Sequence, residues 1–224
     1  MKFVSVIITA AGAGSRFGQL KQFAPLNGES VLSRAVSVFD ALDCINEIIL
    51  VLPPSHKSDY PPNGNIITAV VSGGENRQQS VCAGLKAVNK NADIVLVHDG
   101  VRPFVNEKTI RAVIDAASQG YAAVAAVRAT DTIKQTDAEN IVTATPDRET
   151  LWQVQTPQGF PYKIFTQAHE QAKKIDYIGT DDSMLVEFFN LAPVKIVEGE
   201  RHNIKITTPE DLLYGEMLLQ KGLV

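Results

Sequence analysis

An α/β fold with a doubly wound, mostly parallel sheet is predicted by three features of the sequence. Short runs of apolar and β-branched residues alternate with stretches of helical periodicity. Several of those runs end in loops rich in glycine and charge, and a helix-free stretch at about 131–158 interrupts the alternation once. The 224 residues suit a single unit spanning 1–224, with the interruption read as a protruding β-hairpin arm.

The elements follow in order. Phe3 to Ile8 reads as the first strand and Thr9 to Phe23 as a glycine-rich loop. Val31, Leu32, Ala35, Val36, Phe39 and Leu42 then fall on one helical face behind Ser30 as N-cap. Glu47 to Leu52 is a buried strand stopped by Pro53-Pro54, and His56 to Asn65 is a polar, proline-rich excursion. Ile66 to Val71 is a strand leading into Ser72-Gly73-Gly74-Glu75-Asn76-Arg77, after which Val81, Leu85 and Val88 mark a helix. Ile94 to Val97 ends at His98-Asp99-Gly100-Val101-Arg102, Asn106 to Gln119 is a helix, and Tyr121 to Val127 is a strand. Thr132 to Thr136 and Ile141 to Thr145 pair across Asp137-Ala138-Glu139-Asn140, with Leu151 to Thr156 as a third short strand. Helical periodicity resumes from Pro161 to about Lys174. Thr180-Asp181-Asp182 caps another helix, Val194 to Val197 and Asn203 to Thr207 are strands, and Thr208-Pro209-Glu210-Asp211 opens a last helix closed by Gly222.

The loop TAAGAGSRFGQLKQF carries the first chemical signal. Glycines let backbone N–H groups converge on an anion. The spacing Gly12, Gly14, Gly18 is one residue too long for a dinucleotide fingerprint, and no Gly-Lys-Ser/Thr follows for a Walker loop. Small residues first and the cations Arg16 and Lys21 afterwards suit a triphosphate attacked at its α-phosphorus, where five-coordinate phosphorus gains negative charge. The expected reaction is nucleotidyl transfer, with Asp99 after the fourth strand available to Mg²⁺ or to acceptor hydroxyls. A tight connection without ligand, Asp99 as a turn cap paired with Arg102, and Lys205 as a solvated strand residue are the plainer readings.

Composition narrows the field. A hydrophobic content of 45% with 21% charged residues implies a packed core. A net charge of −4 argues against a nucleic-acid surface, and no apolar run reaches membrane-spanning length. With Met1-Lys2 leading straight into a strand, a cytoplasmic protein is expected. Cys44 and Cys82 lack CxxC spacing and are expected to be buried free thiols. Trp152 and its apolar neighbours have no helix to cover them, so the arm is expected to grip a second subunit rather than fold back on its own domain.

In this order, AAGAGSRFG, LKQF, GGENRQQSV, VHDGVRPF, DTIK, DRETLWQVQTPQGF and NIKITTPEDL cover nearly the whole chain. Together they resemble the 2-C-methyl-D-erythritol 4-phosphate cytidylyltransferases of the non-mevalonate isoprenoid pathway. The resemblance implies a Rossmann-like nucleotidyltransferase fold, CTP and methylerythritol phosphate as substrates, Mg²⁺ and a homodimer. It puts the transition-state cations on Arg16 and Lys21 and acceptor positioning on Arg148 and Lys205, Arg148 reaching across from the partner on the arm with Thr132. CTP contacts fall on Ala10, Ala11, Gly12, Ala13, Gly14, Gly74, Arg77 and Ser80, and the metal or acceptor carboxylate on Asp99. Leu20 stands where the family often has proline, and Gly100-Val101 replaces a commoner small pair; neither removes a charge from the site. A ribitol-5-phosphate cytidylyltransferase, or a catalytically silent nucleotide-binding domain, are the alternative readings, and retention of Arg16, Lys21, Asp99, Arg148 and Lys205 together speaks against the second.

Overall fold

The computed structural model describes residues 2–12, 17, 20–60 and 66–224. In chain order the elements begin with β1 (Val4–Thr9), β2 (Pro25–Leu26), β3 (Glu29–Ser30), α1 (Val31–Asp40), β4 (Glu47–Leu52), β5 (Ile67–Ser72) and α2 (Arg77–Ala87). They continue with β6 (Ile94–Asp99), α3 (Glu107–Ser118), β7 (Ala122–Arg128), β8 (Gln135–Thr136), β9 (Val142–Ala144) and β10 (Trp152–Pro161). Then come α4 (Tyr162–Lys174), α5 (Ser183–Phe188), β11 (Val194–Glu198) and α6 (Pro209–Gln220). Among the described residues no helix is long and apolar enough to cross a membrane.

The main sheet has 7 strands in the order β11-β7-β10-β6-β1-β4-β5. All pairings are parallel except those of β10, which runs antiparallel to both β6 and β7. Strands β4 and β6 are buried along their whole length, so Ile48 to Leu52 and Ile94 to Val97 read as apolar runs, with Glu47 opening the first strand and His98-Asp99 closing the second. Successive side chains take opposite faces. Val4, Val6 and Ile8 pack with Leu32 and Phe39 of α1 and Ile110, Val113 and Ile114 of α3. Ile7, Ile49, Val51, Val95 and Val97 pack with Val81 and Leu85 of α2 and with Phe165, Ala168 and Leu185 of α4 and α5. The doubly wound expectation is met. Leu26, Val31, Val101, Phe104, Ile206 and Leu218 form a third cluster that seats α6.

Three expectations change. First, the third strand of the arm, expected over 151–156, is instead the start of β10, so the expected arm of 131–158 gives up its end to the central sheet. Val154 pairs with Ala126 and Gln158 with Val124, so three residues of β10 face one of β7 in a bulge. Pro157, lacking an N–H, falls inside that bulge, which is how a proline sits in a central strand. Second, Asn203 to Thr207 joins no ladder; Ile206 N–H donates to Val101 O at 2.8 Å, and side chains anchor the rest. Third, Cys44 and Cys82 are only partly buried.

The remainder of the arm is a small exposed hairpin of β8 and β9. Asp137 Oδ1 accepts from the N–H groups of Glu139 at 3.1 Å and Ile141 at 2.8 Å, and Asn140 takes φ 64°. Its base is tied by Ala129 N–H to Leu151 O at 3.0 Å and by Arg128, whose guanidinium lies 4.6 Å over Trp152. At the other end of the chain, Thr208 and Asp211 form the expected capping box of α6.

Gly84 tests the packing of α2 on the sheet. A Cβ there would lie 2.5 Å from Ile7 Cγ2 and 3.0 Å from Val51 Cγ2. Helix propensity favours alanine by about 1 kcal/mol. Overpacking a sheet interior typically costs about 1 to 3 kcal/mol. Gly84→Ala is expected to lower the urea midpoint with an unchanged m value; a raised midpoint would show that α2 moves off the sheet freely.

Candidate active site

Parallel strands deliver their carboxyl ends to one edge, where ligands of such sheets bind. Thr9 is level with Val51 on one side and with Asp99 on the other, so the loops after β1 and β6 emerge together. The loop after β5 and the extended segment before α6 complete a cavity of about 470 Å³ lined by Ala10, Ala11, Gly12, Lys21, Gln22, Gly74, Arg77, Ser80, Asp99 and Lys205, among others. A larger cleft of about 560 Å³ is lined by Pro103 to Asn106 farther along the loop after β6, by Glu200 and His202 and by Leu219, and it gathers none of the expected site residues.

The half of the cavity nearest β1 and β5 is built from backbone and amides. A Cβ on Gly73 would overlap Ala11 Cβ and approach Ser80 Oγ to 2.9 Å, so glycine lets the two loops touch. Ser80 Oγ accepts from Gly74 N–H at 3.1 Å and donates to Asn76 O at 2.9 Å; Asn76 in turn caps α2 by accepting from Gln79 N–H at 2.8 Å. Gln22, buried within the short 3₁₀ turn Lys21–Phe23, donates from Nε2 to Ala10 O at 2.8 Å and Gly12 O at 3.2 Å. That pair of bonds fixes the turn carrying Lys21 against the first loop. Gln22 escaped attention in the sequence because a polar residue beside a charged one in a loop reads as solvated.

The other half is ionic. Asp99 Oδ1 lies 3.1 Å from Arg77 Nε, and Oδ2 lies 2.7 Å from Lys205 Nζ and 3.9 Å from Arg102 Nε. Burial alone would push the Asp99 carboxyl up, but Arg77, Lys205 and Arg102 outweigh it and hold the group well below the ordinary carboxylate range. Arg77 also meets Asp182, Nη2 to Oδ2, at 2.7 Å. Burial pulls the Arg77 guanidinium down, yet Asp182 and Asp99 together hold it above its usual value. For Asp182, wholly buried, burial is the larger influence and its carboxyl is pushed up. The expected cap at Thr180-Asp181-Asp182 thus divides its labour. Asp181 Oδ1 accepts from Met184 N–H at 2.9 Å and Oδ2 from Gln158 Nε2 at 2.9 Å, while Asp182 turns inward to Arg77. Two adjacent acids where one suffices to cap were the available signal.

The structure therefore brings Ala10, Ala11, Gly12, Lys21, Gly74, Arg77, Ser80, Asp99 and Lys205 to one cavity. Ala13, Gly14 and Arg16 lie outside the described residues. Thr132 and Arg148 are exposed and do not line the cavity of their own chain; Arg148 Nη1 donates to Thr130 O at 3.1 Å. Among the described residues no group of three or more His, Cys, Asp or Glu side chains could hold a metal ion. Asp99 and Glu75 are the carboxylates that line the cavity, and the expected ligand Asp99 fits an ion whose remaining ligands are phosphate and water oxygens.

A family model described as "IspD: 2-C-methyl-D-erythritol 4-phosphate cytidylyltransferase" matches residues 4–221. The enzyme of that name from Geobacillus thermodenitrificans is 46% identical over 220 residues, covering 95% of each chain. The crystal structure of the 4-diphosphocytidyl-2C-methyl-D-erythritol synthase of Anaerococcus prevotii is 36% identical with a TM-score of 0.87, covering 98% of this chain and 99% of its own. That of the Thermus thermophilus 2-C-methyl-D-erythritol 4-phosphate cytidylyltransferase is 34% identical with a TM-score of 0.81, covering 98% and 100%.

Burial holds both His98 and His169 down at about 4. In the unfolded chain each takes its proton near 6.5. The unfolded state therefore binds more protons between those values, and stability falls as pH drops from about 6.5 toward 4, by the order of 3 kcal/mol per histidine at most. Urea titrations across that range are expected to show the decline, and His169→Phe to make it shallower. An identical slope in the variant would remove His169 from the account.

Proposed function

The chain belongs to the 2-C-methyl-D-erythritol 4-phosphate cytidylyltransferase family, and from that premise we propose how its cavity carries the reaction. The enzyme transfers CMP from CTP to 2-C-methyl-D-erythritol 4-phosphate. A phosphate oxygen of the acceptor attacks the α-phosphorus of CTP, the new P–O bond forms as the bond to the β-phosphate bridging oxygen breaks, and pyrophosphate leaves with that electron pair. The observation that carries the assignment is the convergence of Lys21, Arg77 and Lys205 with a buried, ionised Asp99 at the ends of β1, β5 and β6.

In this reading the amide-lined half, with Ala10, Ala11, Gly12, Gly74, Arg77 and Ser80, takes CTP, and Ala13 and Gly14 are proposed as further CTP contacts. Lys21 and Arg16 stabilise the charge that grows as the α-phosphorus becomes five-coordinate. The ionic half takes the acceptor: Asp99 suits its hydroxyl groups, and Lys205 its phosphate. Asp99 would also hold Mg²⁺ together with triphosphate oxygens. That ion, when bound, neutralises phosphate charge. Thr132 and Arg148 complete the acceptor half from a partner subunit, so the working form is a homodimer gripped through the arm. Exposed Ile133, Ile141 and Val142 on the arm support a covered state. Residues 1–224 act as one nucleotidyltransferase unit. Charged phosphate substrates do not cross bilayers unaided, which supports a cytoplasmic reaction.

Pyrophosphate release with CTP and 2-C-methyl-D-erythritol 4-phosphate, against ribitol 5-phosphate as a competing acceptor, tests the substrate pair. Lys21→Ala is expected to lower kcat by about 10² to 10³ while weakening CTP binding far less; unchanged turnover would remove Lys21 from the chemistry.

Mixing tests the arm. Lys21→Ala and Arg148→Ala chains, each nearly inactive alone, are expected to recover activity on co-refolding, because one site of the heterodimer holds neither substitution. Heterodimers that form and stay inactive would confine Arg148 to its own subunit.

A further inference from the structure

Beneath the ionic half runs a closed circuit of hydrogen bonds. The Arg102 carbonyl only accepts, so His98 Nε2, 3.0 Å away, carries the imidazole proton and donates to it. Nδ1 is then the bare nitrogen, and it accepts from the Thr156 hydroxyl at 3.1 Å. The same hydroxyl oxygen accepts from Asp99 N–H at 3.0 Å. Thr156 O accepts from Asn203 Nδ2 at 2.8 Å, and Asn203 O accepts from Arg102 Nη1 at 2.7 Å, which returns the circuit to Arg102. His98, Thr156 and Asn203 are all buried. None of the three lines the 470 Å³ cavity, and Asn203 borders the adjoining cleft beside Arg102 and Lys205.

We propose that His98, acting through Thr156 and Asn203, is a positioning residue that sets the arrangement of Asp99, Arg102 and Lys205 and thereby the affinity for the phosphorylated acceptor. The proposal rests on the assignment of the ionic half to the acceptor. The circuit joins three segments that meet at this point: the end of β6, the bulge of β10 and the extended segment before α6. Lys205 stands two residues beyond Asn203 in a segment without a strand ladder, so its reach to Asp99 depends on that anchor. In the half that takes CTP, the bonds of Ser80, Asn76 and Gln22 share no atom with the circuit, and Arg77, which does reach Asp99 at 3.1 Å, is held from its other side by Asp182 at 2.7 Å. Breaking the circuit should therefore separate the two substrates.

The variants are His98→Phe, which removes both ring nitrogens, Thr156→Val, isosteric without the hydroxyl, and His98→Gln, whose amide N–H restores a donor toward Arg102 O. KM for 2-C-methyl-D-erythritol 4-phosphate is measured at saturating CTP, and the CTP Kd by calorimetry without acceptor. His98→Phe and Thr156→Val are each expected to raise the acceptor KM about tenfold. The CTP Kd is expected to stay within about twofold, and the double variant to be no worse than the weaker single. His98→Gln is expected to recover most of the loss. A wild-type acceptor KM in a cooperatively melting His98→Phe, or equal losses for both substrates, would overturn the proposal. If His98→Phe does not fold, Thr156→Val decides by the same criteria. Lys205→Ala separates the premise from the inference. If it leaves the acceptor KM unchanged, the acceptor assignment fails and this proposal with it; if it raises KM while the circuit variants do not, the circuit alone fails.

Discussion

A carboxylate inside a sheet protein stays ionised only when fixed positive charge compensates the lost water. Asp99 has Arg77, Lys205 and Arg102 around it, drawn from α2, from the segment before α6 and from its own loop. Each of these elements is placed by different packing: α2 by Ile7 and Val51, α6 by Leu26 and Ile206. The charges meet because the parallel strands end level. Asp99 therefore works as the common point to which three independently packed regions are referred, and the cavity around it inherits their rigidity.

Such a cluster is suited to receive phosphates. In the free protein its cations are neutralised by Asp99 and, for Arg77, by Asp182. Entry of the phosphorylated acceptor beside the triphosphate adds several negative charges to a site whose cations are already oriented, so little reorganisation accompanies binding or the growth of charge on phosphorus. The buried acids also keep the guanidinium and ammonium groups from folding outward into solvent. This is why acids beside the basic residues favour anion binding in a preorganised form, although they reduce the net positive charge.

Much of this was legible in the sequence, for physical reasons that also mark where legibility stopped. Parallel strands buried on both faces are largely apolar runs, so β4 could be read to the residue and β6 as far as Val97, short only of its buried polar end His98-Asp99, and Ser30 and Thr208 announced their helices by capping chemistry. β10 could not be read as a central strand because Pro157, Gly159, Gln155 and Gln158 break its pattern. Its buried glutamines are satisfied by distant partners, Gln158 by Asp181 and Ser183 and Gln155 by Asn203 and Glu200 O. The segment Asn203 to Thr207 has the alternation of a strand, but Ile206 faces an apolar cluster rather than a ladder. Of the site, the loops and their charges were visible because glycine and cations cluster in short stretches. Asp182, Gln22 and the His98 circuit were not, since their roles depend on contacts between segments far apart in sequence.

The antiparallel insertion of β10 has a consequence that neither the arm nor the cavity has by itself. Its first residue, Trp152, packs under Arg128 at the base of the arm, and its bulge brings Thr156 under Asp99. Between them the strand is paired to β7 as far as Val154, and beyond the bulge it pairs with both β7 and β6. A paired strand transmits position better than a loop, so the base of the arm, held on β7, is fixed relative to the carboxylate that organises the site. Arg148 lies just before that base, tied to Thr130 O. In the proposed dimer, the sheet that carries one subunit's own Asp99 is then also what presents Arg148 to its neighbour, and the precision of the second site rests on the same strand as the floor of the first.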